Sequence, residues 1–168
     1  MTEAVIPAAL DMLAATPATM RSLLVGLPDE MTSAAGPEGW SARDVVAHVL
    51  SVNGPALVDR VRLIVERDAP PLPNVDEQAT LERSGLRSRQ LKTLLDEFAR
   101  QRGGAVMWLR NLQAESLVRT GEHSVAGVVS AADIIVHVAW HDLLHVEQVC
   151  RLLAPAFDEH RGAMRRFR

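Results

Sequence analysis

A chain with one cysteine, no tyrosine and only three residues each of phenylalanine and tryptophan carries few of the usual handles for chemistry. The lone thiol, Cys150, excludes an internal disulfide and a Cys-X-X-Cys pair, and it suits a reducing compartment. Positive charge is not in excess either: 18 basic against 21 acidic residues leave a net charge of -3. Phosphate neutralisation drives nucleic-acid binding, so nucleic acid is not an expected partner. No apolar run approaches the ~20 residues of a membrane span, and no basic amino-terminal region leads into an apolar segment. The cytoplasm is the expected location. A Ser-His-Asp order and a phosphate-binding glycine loop are missing as well.

What is present is apolar content near half, 48% hydrophobic over 168 residues, enough for one domain spanning 1–168. A domain of this size buries roughly 70% of its unfolded surface. Apolar residues at Leu10, Leu13, Pro17, Met20, Leu24 and Leu27 recur in steps of three and four, the stripe of a first helix. Pro17 predicts a kink or break with Thr16 as cap, and Leu27-Pro28 the end. Residues Asp29 to Gly39 read as a loop. A second helix starts after Ser41, where Ser41-Ala-Arg-Asp44 has the pattern of a capping box, and Pro55 kinks or splits it. The prolines between Asp68 and Val75 predict an extended connector, and a weak helical patch comes next from Asp76 to Arg83. A third helix runs over about Leu86 to Leu112, weakened at Gly103-Gly104, and Ala114 to Val129 reads as loop. Ser130-Ala-Ala-Asp133 repeats the capping pattern and opens a fourth helix that ends before Pro155, leaving a basic tail as a short helix or frayed end.

Four amphipathic helices without a period-two strand signal predict an all-α four-helix bundle. The crossover between helices two and three, about 18 residues from Asp68 to Gly85, is long enough to return helix three parallel to helix two. An up-down-down-up order results. The shorter loops are suited to joining antiparallel neighbours. Helices two and four then run antiparallel.

The chemistry concentrates in helix four, at His137-Val-Ala-Trp-His141-Asp-Leu-Leu-His145-Val-Glu-Gln148. His141 and His145 share one helical face a turn apart, the spacing of a metal-chelating pair. Two imidazoles also fit a core with satisfied hydrogen bonds. A third ligand from another segment favours the metal, and His48, two turns past the Ser41 cap, is the best candidate. His137 lies roughly 12 Å along the axis from His145, too far to share the ion, and is expected to line a pocket or the core. His123 and His160 read as solvated. Cys150, about 140° around the helix from His145, reads as a small buried hydrophobe. Gln148 falls on the ligand face, in place to hydrogen-bond a ring nitrogen or bound water and equally suited to an interhelix polar contact. Trp40 and Trp140 read as packing residues in a core poor in aromatics.

The segment Gly39-Trp40-Ser41 leading to His48, the distant His141-to-Gln148 run, Leu23-Leu-Val-Gly-Leu27-Pro28 and Met107-Trp-Leu-Arg110 resemble the DinB/YfiT-like family of metal-dependent bacterial proteins. The resemblance implies an up-down-down-up bundle, often a homodimer, with His48, His141 and His145 as the ligands of a three-histidine site. It further implies thiol-dependent transferase or isomerase activity with a low-molecular-weight thiol cosubstrate, or hydrolase activity. The alternative is a non-catalytic metal- or small-ligand-binding bundle used in a stress response. Three imidazoles leave a divalent ion open positions, and the expected cofactor is zinc or nickel, with iron or manganese next.

Overall fold

A computed structural model of the chain describes residues 2–167. Helix α1 spans Thr2–Leu24, and a short α2 spans Asp29–Ser33 inside the segment expected to be loop. Pro17 neither breaks nor ends α1, and Thr16 does not cap. Its hydroxyl instead donates to Met12 O at 2.9 Å, four residues back, satisfying a buried polar group within the helix. The helix stops at Leu24, one turn earlier than Leu27-Pro28 would set it.

Helix α3, Ala42–Val52, opens with the expected capping box: Asp44 N donates to Ser41 Oγ at 3.1 Å and Ser41 N to Asp44 Oδ2 at 3.0 Å. Pro55 does not split the second bundle helix. A π-helical stretch, Asn53–Val58, carries the chain through the proline into α4, Asp59–Glu66. The wider turn accommodates a ring that an α-helical carbonyl four residues back would strike. Arg119 then closes the end of α4, donating from Nε to Ile64 O at 2.9 Å and from a guanidinium NH2 to Arg67 O at 2.8 Å.

The crossover is extended through its prolines and then forms the helix expected over Asp76 to Arg83. It contains strand β1, Pro71–Leu72, and helix α5, Glu77–Ser84, with Asp76 as N-cap and Gly85 at φ 65° as the left-handed residue that ends it. A single 3₁₀ turn, Leu86–Ser88, precedes α6, Leu91–Arg110, so the third bundle helix begins later than Leu86 and passes through Gly103-Gly104 without interruption. Residues 114–130, expected to be loop up to Val129, form α7, Ala114–Leu117, and a hairpin of β2, Thr120–His123, with β3, Gly127–Ser130. Strand β1 pairs parallel to β2, placing Leu72 opposite His123. Gly121 is required here, because a Cβ would lie 2.9 Å from Leu72 Cδ1 and 3.0 Å from Pro70 O. Helix α8, Ala131–Asp158, begins on the second capping box at Ser130 and Asp133. Pro155 lies inside it, and the tail ends in a 3₁₀ segment, Gly162–Arg166.

Two groups of core residues fix the bundle order. At one end Met20 and Leu24 of α1 meet Val45 and Val49 of α3, Leu94 and Phe98 of α6, and Val149 and Leu153 of α8. At the other, Leu10 and Leu13 meet Val61 and Ile64 of α4, Val106 and Leu109 of α6, and Ile134 and Ile135 of α8. The direction is therefore up for α1, down for α3–α4, down for α6 and up for α8. Both α1 and α3–α4 pack on α6 and α8. The pairs joined by the shorter connections consequently face each other across the diagonals rather than as neighbours, and α3 lies beside α8.

Candidate metal centre

That adjacency brings His48, His141 and His145 together, one ring nitrogen of each lying within 4.8 Å of the others. His141 Nε2 stands 3.1 Å from His145 Nε2 and 3.5 Å from His48 Nε2. Imidazoles bound at about 2.05 Å to one tetrahedral ion have nitrogens about 3.3 Å apart, and the two observed separations bracket that value.

Protonation supports the fit. His145 Nδ1 lies 2.8 Å from Gln148 Oε1, which accepts only, so the ring proton sits on Nδ1 and the Nε2 lone pair is turned toward the cluster. Burial holds the His48 pKa down at about 4, helped by the nearby charge of His145, and burial followed by His141 lowers His145. Neutral rings with converging lone pairs repel one another unless a cation lies between them, and the donor set fits a divalent transition metal. His48 is fixed by the edge of the Trp40 ring, 5.2 Å between centroids, and Trp40 is itself covered by the Arg87 guanidinium 5.3 Å away. His48 Nδ1 is buried without a hydrogen-bond partner among the described residues.

A fourth group arrives that sequence patterning does not single out. Glu77, in the first turn of α5, places Oε2 3.3 Å from His48 Nε2 and 3.6 Å from His141 Nε2. The pull of the His141 ring, at 3.6 Å a long contact, outweighs burial and holds the Glu77 carboxyl below the ordinary range. The only signal for it in the sequence is Asp76-Glu77 at the start of a short helical patch. Behind the histidines lies a second feature without a sequence signal: Arg102, fully buried, pairs with Asp142 through both amino groups and donates from Nε to Asn53 Oδ1 at 2.7 Å. The π-helical stretch begins at that asparagine. Asp142 comes directly after His141, so this ion pair anchors the histidine-bearing turn of α8 to α6.

Other residues depart from expectation in part. His137 lines a cavity, as anticipated, although its side chain is exposed rather than in the core, and His160 is exposed as expected. His123 is not a solvated loop residue: it ends β2, is half-buried and lines the same cavity as His137. Cys150 is exposed rather than buried, because the helix face turned away from the histidines meets solvent there. Trp40 packs against the core, whereas Trp140 is 54% exposed and is not a core residue. Asp44 serves the capping box and lies 3.6 Å from Arg87.

A long-crossover bundle with three convergent histidines between its second and fourth helices defines a class of helical proteins with an internal metal-type site. The chain belongs to the DinB superfamily, whose family model matches residues 12–149. Among solved structures it is similar to YfiT from Bacillus subtilis, described as "a probable metal-dependent hydrolase with an unusual four-helix bundle topology". The two share 18% identity and a TM-score of 0.80, over 90% of this chain and 87% of that one. Curated proteins gave no match. No described helix is long and apolar enough to cross a membrane.

Proposed function

We propose that His48, His141 and His145 hold one divalent transition-metal ion and that the chain is a metal-dependent hydrolase. The observation that carries the reading is the convergence of three imidazole nitrogens with the Glu77 carboxylate, which faces two of them at 3.3 and 3.6 Å. An ion held by these three histidines would supply Lewis acidity and would lower the pKa of water toward neutrality. Glu77, held ionised, is the base that accepts the proton at Oε2. Gln148 keeps the His145 proton on Nδ1, and Trp40 excludes water from one side of His48. Thiol transfer uses the same three histidines and an additional thiol, and the same experiment separates it from hydrolysis.

Elemental analysis of the purified chain after loading is expected to give one zinc or nickel ion per chain, lost in His141→Ala. Turnover of activated esters and amides is expected to fall at least a hundredfold in Glu77→Gln with the ion retained, roughly the range of a removed general base. Full metal stoichiometry in a variant lacking all three imidazoles overturns the ligand assignment. Turnover that appears only with an added low-molecular-weight thiol replaces hydrolysis by thiol transfer.

A further inference from the structure

Next to the three histidines, on the far side of Glu77, is a cavity of about 350 Å³ bounded by α4, the crossover, the hairpin and the first turns of α8. Its walls combine the apolar side chains of Val75, Val129 and Ile134 with His123, His137 and Arg60. Arg60 is 9% exposed, yet no carboxylate comes within 4 Å of it among the described residues, and its one hydrogen bond is from a guanidinium NH2 to Pro73 O at 2.9 Å. Burial pushes the Arg60 pKa down, the charge of Glu77 offsets this only in part and from beyond contact distance, and chains normally pair such a group directly or leave it in water. The contrast within this chain is direct. Arg102, buried more deeply still, has Asp142, and Arg110, which lines a larger apolar hollow of about 480 Å³ elsewhere, has Asp11 at 2.5 Å.

His123 adds a second donor. Its Nδ1 accepts the backbone N–H groups of Val125 and Ala126, each at 3.2 Å, which leaves the proton of the neutral ring on Nε2. Burial, then the charge of Arg60, lowers its pKa, which favours that neutral donor form. Glu77 and Asp133 also line the cavity, and their charge opposes a doubly charged phosphate more strongly than a single carboxylate seated on Arg60. The cavity shares Glu77 with the metal-type cluster, so a molecule held at Arg60 extends toward the histidines.

We propose that this cavity is a substrate subsite for a monocarboxylate with an apolar body, anchored by Arg60 and assisted by His123 Nε2–H. Its placement as a substrate subsite rests on the metal-hydrolase reading, whereas anion binding by Arg60 does not. Phenylacetate and its neutral isostere phenylacetamide are therefore titrated calorimetrically into metal-free protein, where no ion is available to bind carboxylate. Wild type is expected to bind the acid at least tenfold more tightly than the amide. Arg60→Met is expected to lose that preference and Arg60→Lys to keep part of it, with thermal melts verifying that each variant is folded. Chemical shifts of the His123 and His137 ring protons are expected to move with the acid. Equal affinity of wild type for acid and amide, absence of acid binding, or acid affinity unchanged in folded Arg60→Met overturns the proposal. Because the wild-type comparison needs no variant, a poorly folding Arg60→Met leaves the test decisive. Metal content of Arg60→Met, measured in parallel and expected to stay at one ion per chain, keeps a failure of this subsite distinct from a failure of the metal site.

Discussion

At the scale of single residues, the site gathers neutral imidazoles where they are largely shielded from water, and acid must act on that arrangement. Burial lowers His48 from 6.5 to about 4, and it also lowers His145 and His137. Between those two pH values the unfolded chain binds more protons than the folded one, so stability is complete above about pH 6.5 and is lost as pH falls toward 4. For the metal-free protein the His48 share of this loss is roughly 3 kcal/mol, at about 1.4 kcal/mol per pH unit. Urea midpoints measured from pH 7.5 to 4.5 are expected to fall, and to fall less steeply in His48→Gln; parallel slopes for the two proteins contradict the assignment. The three histidines and Gln148 are legible in the sequence because they occupy one helical face or come after a recognisable cap. Glu77 is not, since its approach depends on how a short crossover helix packs on α3. Cys150 differs from expectation for a related reason: periodicity tells that it points away from the histidines, but only packing tells whether that direction leads into the core or out to solvent.

At the scale of elements, local chemistry decides the starts of helices better than their ends. Both capping boxes form as the spacing of Ser and Asp predicts, whereas Pro17, Pro55, Pro155 and Gly103-Gly104 fail to break helices that the bundle holds on several sides. The hairpin from Thr120 to Ser130 leaves no sequence signal because its strands are four residues each and only Gly121 in them is buried, too short and too little buried to show alternation. Arg102 and Asp142 show what tertiary context adds. Each is a charged residue in an otherwise apolar helical face, and nothing in the order of residues says that they meet. Removing one partner leaves the other charged, buried and unpaired, which costs about 3–5 kcal/mol. Asp142→Ala is therefore expected to destabilise the protein by that amount in urea unfolding, and the double replacement Arg102→Met with Asp142→Leu by much less. A loss below about 1 kcal/mol in the single variant, no more than an exposed pair would give, means that the pair does not tie α8 to α6 as the geometry indicates.

At the scale of the whole molecule, the long crossover makes the up-down-down-up order readable, while the placement of the short-loop pairs across the diagonals is not, because loop length limits separation without choosing a neighbour. The same helix that carries the histidines inward presents Trp140, Leu143 and Leu144 outward, 54%, 46% and 46% exposed. These three lie within little more than one turn, so their apolar surface is contiguous rather than scattered. The indole rests on His137 with ring centroids 5.5 Å apart, which places it on the ridge above the Arg60 cavity rather than on a loose surface arm. A two-fold axis through such a patch sets the same residues of two chains against each other, the self-complementary arrangement of closed dimers. We propose that the protein is a homodimer with α8 at its interface. Light scattering is expected to give twice the 18.4 kDa chain mass over a broad concentration range. Trp140→Glu brings two carboxylates into the middle of that interface, where like charges have no solvent to separate them, and is expected to yield the single-chain mass without loss of helicity. A wild-type mass of one chain at every concentration rules out the dimer, and a Trp140→Glu protein that remains dimeric moves the interface off this face of α8.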